Sequence, residues 1–256
     1  MTPRDLAVLR KLKTRSDRGE QVQVDRALRN RLERLSSAGD AAASIALAWV
    51  VLTTRPRSKR RAEELYRNAI RGVNGNRRVA LYGIAQLCFG SGRMREGMAF
   101  LRRSGRLGYS AAQLQLGQIY LYGEKVRRSL AEAEYWLRRA YRSGSAEAAM
   151  WLGWKRDFDD PGEKWREAAA WYRRAAENGV VEGMFNLAVC LERGLGIRAD
   201  AQAARRWFEK AARAGDKDAI RKLASLSPKA GLTSLRASGT SPARSRARRS
   251  RRARAD

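Results

Sequence analysis

From Ala148 to Glu182 the chain reads AAMWLGWKRDFDDPGEKWREAAAWYRRAAENGVVE, and from Gly183 to Asp218 it reads GMFNLAVCLERGLGIRADAQAARRWFEKAARAGDKD. Set one under the other, the two lines are copies. Ala148 falls over Gly183, Leu152 and Gly153 over Leu187 and Ala188, and Ala168 over Ala204. Trp171 and Tyr172 fall over Trp207 and Phe208, Ala175 and Ala176 over Ala211 and Ala212, and Gly179 over Gly215. A repeat of this length marks a solenoid, in which each unit is too small to bury its own apolar face and shares it with its neighbours.

The same register numbers most of the chain. Gly108, Gly144, Gly179 and Gly215 stand 36, 35 and 36 residues apart. Each falls where a helix is expected to end in a left-handed cap, which glycine adopts without penalty. The motif Ala-x-x-x-Leu-Gly/Ala in the first helix of each unit (helix A) puts small residues where two helices approach closely. The Trp/Phe/Leu pair in the second helix (helix B) supplies the bulk between successive units. Five units follow, at about 41–78, 79–110, 111–147 and the aligned pair, and Ala219, Leu223 and Ala224 open a last helix. Ahead of them, Thr2, Pro3 and Asp5 read as a helix start, with Leu6, Val8, Leu9 and Leu12 on one stripe. Asp25 to Ser37 reads as a second helix, ending in Ala38-Gly39-Asp40 as the array ends in Ala214-Gly215-Asp216. The expected organisation is therefore a helical cap or degenerate helix pair at 1–40, five repeats with a capping helix at 41–226, and a tail at 227–256. The tail is poor in bulky apolar residues and rich in Ser, Ala and Arg, a composition expected to be disordered.

These residues resemble the Sel-1-like repeats, a branch of the tetratricopeptide-like α-solenoids. Gly194, Gly196, Asp200, Ala204, Trp207-Phe208, Ala211-Ala212 and Gly215 follow that pattern most closely; Ser129 and Lys164 stand at the Asp position of the two preceding units. The resemblance covers roughly 41–224 and is most specific over 111–218. It implies an all-α fold, a right-handed solenoid of helix-turn-helix repeats, used as a protein-binding scaffold and not for a reaction. Several relatives carry signal peptides and disulfide-bonded repeats; neither feature is expected here.

Composition narrows the chemistry. The chain has no histidine, which removes Ser-His-Asp and Cys-His catalysis and His-ligated zinc. Cys88 and Cys190 have no metal-ligand or disulfide-framework spacing and read as buried small residues. No phosphate-binding glycine loop or carboxylate pair stands out, so no enzyme, cofactor or metal is expected. The longest apolar run, Ala41 to Leu52, is too short to span a bilayer, and MTPRDLAVLRKLKTR lacks a secretory pattern. A cytoplasmic protein is expected. The net charge is +28, but it is uneven: residues 1–110 hold 24 Lys/Arg against 9 Asp/Glu, residues 111–227 hold 21 against 16, and residues 228–256 hold 9 against 1. The charged ends would attract acidic partners in a salt-dependent way.

Candidate sites follow from what departs from the repeat. In tetratricopeptide-like solenoids helix A lines the concave groove, which nominates Gln115, Gln118, Tyr122, Trp151, Trp154, Lys155, Asn186 and Arg193 for a partner protein or peptide. Asn186 matches an amide common at that place in the family; the polar members of this set could equally be ordinary exposed residues. Trp151, Trp154 and Trp165 are not required by the pattern, and either form a hydrophobic hot spot or pack over the loop from Asp157 to Glu163. Asp157, Asp159 and Asp160 read as a solvated turn. The arginine doublets 102–103, 138–139, 173–174 and 205–206 recur in register and form either a basic ridge or a solvated face. Arg244, Arg246, Arg248, Arg249, Arg251, Arg252 and Arg254 nominate the tail as a polyanion anchor, or else as a solubilising segment. No aromatic residue is interleaved with them for base stacking. The leading expectation is an adaptor binding through its groove; the alternative is a nucleic-acid-associated protein acting through its basic N-terminal third and tail.

Overall fold

The structure, a computed structural model, describes residues 1–20, 22–54, 58–72, 76–155 and 165–226. The tail arginines and the loop aspartates nominated above lie outside them. Among the described residues there are thirteen helices and no strand: α1 (Pro3–Asp17), α2 (Arg26–Ser37), α3 (Ala41–Thr54), α4 (Lys59–Arg71), α5 (Arg77–Phe89), α6 (Met94–Arg106), α7 (Ser110–Tyr122), α8 (Leu130–Arg142), α9 (Glu147–Trp154), α10 (Trp165–Glu177), α11 (Val181–Arg193), α12 (Ala201–Arg213) and α13 (Lys217–Ser225). Helices α3 to α12 form five A/B pairs. From α2 onward every helix packs against its neighbours in sequence, and successive A helices also touch. This is a helical solenoid.

Local chemistry sets the ends of these helices. The Thr2 hydroxyl accepts from the Asp5 N–H (3.2 Å) while the Asp5 carboxylate accepts from the Thr2 N–H (3.1 Å), a reciprocal cap with Pro3 in the first turn. In the repeats, Ser129 and Asp200 each accept from the N–H three residues on, at 3.3 and 2.9 Å, and Asp216 does so at 2.7 Å. The Asp column is thus a capping column. Gly108, Gly144, Gly179 and Gly215 all have φ between +81° and +93° and turn the chain from helix B into the next helix A. The loops of the third and fifth units fold back alike: Ser129 N–H donates to Tyr120 O at 3.0 Å and Asp200 N–H to Leu191 O at 2.9 Å.

The core is relayed along the stack instead of gathered at one centre. Leu137 and Trp136 of α8, Tyr172 of α10 and Phe208 of α12 are buried in successive layers. The small column exists because that bulk presses on it. A Cβ on Gly117 would lie 2.5 Å from Leu137, and one on Gly153 would lie 2.6 Å from Tyr172. Gly196 (φ +65°) lets the loop of the fifth unit touch the backbone of Trp165 at the start of α10, leaving no room for a Cβ. Cys88 and Cys190 are buried in this core. No described helix is long and apolar enough to cross a membrane.

Candidate partner-binding surface

The helix-A faces join into one continuous surface. In each unit the residues two before and one after the small residue share this face: Ala46 and Trp49, Gly83 and Gln86, Gln115 and Gln118, Trp151 and Trp154, and by register Asn186 and Val189. The amides of Gln86 and Gln115 bridge α5 and α7, with Gln86 Nε2 donating to Gln115 Oε1 at 2.6 Å. Beyond them Tyr122, Trp151 and Trp154 form a three-ring cluster across α7 and α9. Tyr122 meets Trp151 and Trp154 edge-on, with centroids 5.9 and 5.8 Å away, and the two indoles are 5.0 Å apart. Glu147 fixes the Trp151 ring by accepting from Nε1 at 3.2 Å. Tyr122 is 39% exposed, and burial, with the Glu124 carboxylate beside it, pushes its phenol pKa up. A cavity of about 280 Å³ lies beside the cluster, lined by Gln115, Gln118, Tyr122, Lys125 and Trp151 among others.

The other nominated residues are placed differently. Lys155 points to helix B: its Nζ is 3.0 Å from Glu134 of α8, whose carboxylate also takes Arg138 at 2.7 Å. Both cations hold Glu134 below the ordinary carboxylate range against the cost of its burial. Asn186 is half-buried on α11, and Arg193 is exposed at the end of that helix. Trp165 does not join Trp151 and Trp154. It packs with Leu195 and Ile197 in the C-terminal core because the Gly196 turn brings that loop onto it. The arginine doublets are not a free ridge either. Arg102 donates to the Tyr120 hydroxyl at 2.9 Å, and Arg138 to Glu167 at 2.9 Å. Arg174 lies over Trp171 at 4.5 Å, and Arg205 donates to Glu209 at 3.1 Å. At least one arginine of each pair is engaged by an aromatic ring, a tyrosine hydroxyl or a glutamate, and in the second pair Arg139 also meets Tyr135; such contacts stabilise by roughly 0.5–1 kcal/mol when exposed.

A second feature on the same face escaped the sequence reading. Helix α1 does not pair with α2. Its first turn is pinned, with the Met1 nitrogen 3.0 Å from Asp40 and buried Asp5 2.7 Å from Arg31. The Thr2 hydrogen bonds and Arg31 hold the Asp5 carboxyl below its ordinary range. From there α1 runs over the A helices α3 and α5, roofing an apolar pocket of about 530 Å³. The sequence signal was present: Leu6, Leu9 and Leu12 form a stripe, yet Leu6 stays 40% exposed.

A continuous face of stacked A helices, each backed by its B helix, defines a repeat scaffold of the tetratricopeptide-like class. The Sel1 repeat model matches residues 110–145, 163–180 and 181–216. Those stretches are similar to Sel1 repeats, and the chain that holds them is a helical solenoid. Its structure is similar to a Sel1 repeat protein from Oxalobacter formigenes (TM-score 0.64, 20% identical, covering 81% of this chain and 88% of that one). It is also similar to c5321, a protective antigen present in uropathogenic Escherichia coli strains that displays the same repeat fold (TM-score 0.50, 19% identical, covering 82% of this chain and 53% of that one). In sequence, 130 residues are 30% identical to chitin synthase regulatory factor 3 of Schizosaccharomyces pombe; the match takes in 48% of this chain and only 14% of that protein's length. Sel1 repeats generally serve as protein-interaction scaffolds, typically without enzymatic activity.

Proposed function

We propose that the chain is a non-enzymatic adaptor that holds a segment of a partner protein along its concave helix-A face, centred on Tyr122, Trp151 and Trp154. The observation that carries this reading is the three-ring cluster itself. The repeat requires none of these rings, Trp151 and Trp154 sit on the helix-A columns with Tyr122 one turn beyond Gln118, and a cavity with amide donors adjoins them. Clustered aromatics beside satisfied amides are what interaction hot spots are made of. Gln115, Gln118 and Asn186 would meet a partner backbone by hydrogen bonds, while Lys155, held by Glu134, positions α9 instead of contacting the partner. The buried thiols and the missing membrane-spanning helix among the described residues fit a cytoplasmic setting.

The test is affinity capture after nuclease treatment, comparing the full chain, a chain lacking 228–256, and Trp151→Ala with Trp154→Ala. The partner should survive tail deletion at moderate salt and be lost with the double substitution, each hot-spot ring contributing on the order of 2 kcal/mol. A partner kept by the tryptophan variant and lost with the tail would overturn the reading.

A further inference from the structure

The pocket under α1 has a chemistry of its own. Ala46 and Trp49 of α3 and Tyr82 of α5 form its floor, and Leu6 and Leu9 of α1 form its roof. Arg10 and Lys13 of α1 also line it, and among the described residues no Asp or Glu does. Of the two acids on α1, neither lines the pocket, and Asp5 is already committed to Thr2 and Arg31. The pocket is open to solvent, and its largely apolar space of about 530 Å³ is the size of a ligand site. One residue's side chain would not fill it. The roof is also held at one end. No other described helix runs alongside α1 in close backbone contact, and its polar tethers are at Met1 and Asp5.

We infer that this pocket receives two apolar side chains, one helical turn apart, from an acidic amphipathic segment of a partner protein, whose carboxylates meet Arg10 and Lys13. Apolar walls with a purely cationic edge match that pattern, whereas the central cavity has both Glu124 and Lys125 on its rim. A nucleic acid brings phosphates but no aliphatic anchors, so it would leave the pocket empty. The inference rests on the adaptor reading but uses the opposite end of the groove, so the two can fail separately.

The probe is a short fluorescein-labelled helical peptide with two leucines one turn apart on a glutamate-rich background, titrated by anisotropy at physiological salt. Saturable binding is expected, lost when the leucines become glutamines. Ala46→Phe, which fills the pocket, should weaken it about tenfold or more, as should Arg10→Glu with Lys13→Glu. Arg205→Glu with Arg206→Glu makes the same charge change at a distance and should shift binding less than about twofold. Trp154→Ala should leave it unchanged, separating this site from the central cluster. Ala42→Phe replaces Ala46→Phe if circular dichroism shows the latter misfolded. No saturable binding, binding indifferent to a folded pocket-filling variant, or equal weakening by the remote charge reversal would each overturn the inference.

Discussion

At the residue scale, glycine does two different jobs in this chain, and substitution separates them. Gly117 is small because Leu137 occupies the space its Cβ would need, at 2.5 Å. Gly144 has nothing within 4 Å of a built Cβ, but its φ is +89°. Gly117→Val is therefore expected to cost roughly 1–3 kcal/mol through overpacking. Gly144→Asn should cost less than about 1 kcal/mol, since asparagine tolerates the left-handed region. Urea unfolding of the two variants checks the contrast; equal losses would show that crowding and backbone strain are not distinct here. Both positions were legible in the sequence because each recurs in register. Trp165 was not, because its neighbours Leu195 and Ile197 come from the next unit through a turn at Gly196 that periodicity does not describe.

At the scale of single helices, α1 stands apart. It is basic, half-exposed and pinned at its first turn, where Asp5 is shared by Thr2 and Arg31. The carboxyl is depressed in the folded state, so its stabilising contribution is fully present above the unfolded value of about 3.9. It is lost as pH falls through the lower folded value. Hydrogen exchange corrected for intrinsic rates should show α1 opening below about pH 4 while α11 and α12 stay protected. Asp5→Asn should bring that opening toward neutral pH and cost about 1 kcal/mol of cap energy. Protection of α1 that tracks α12 at every pH would contradict this. The cap was readable from Thr2, Pro3 and Asp5, whereas the path of α1 was not. That path depends on Asp5 meeting Arg31 and Met1 meeting Asp40, pairs 26 and 39 residues apart that leave no local pattern. The pocket beneath α1 was hidden for the same reason.

At the scale of the whole molecule, a relayed core means that stability is distributed by neighbourhood. Leu32, fully buried in α2, belongs to the N-terminal cluster, and Phe208 belongs to the C-terminal one. Leu32→Ala, a loss of roughly 2–5 kcal/mol, should let α2 to α5 unfold at lower denaturant than α10 to α13, giving two transitions by exchange where the parent shows closer ones. A single coincident transition would mean the array folds as one block. The array itself was legible from columns of small, bulky and glycine residues. The central ring cluster was half legible: Trp151 and Trp154 announce themselves three residues apart, but Tyr122 joins them from the preceding unit.

The joint at Gly196 carries a mechanical consequence. Most units meet through side chains, which slide, but here a loop rests directly on the backbone at Trp165, and there is no side chain between them to yield. If the array is a spring, this coil is the stiff one: bending and twisting will be taken up toward α1, and the curvature presented by Asn186 will stay constant while the other end of the groove adapts its width to what enters it.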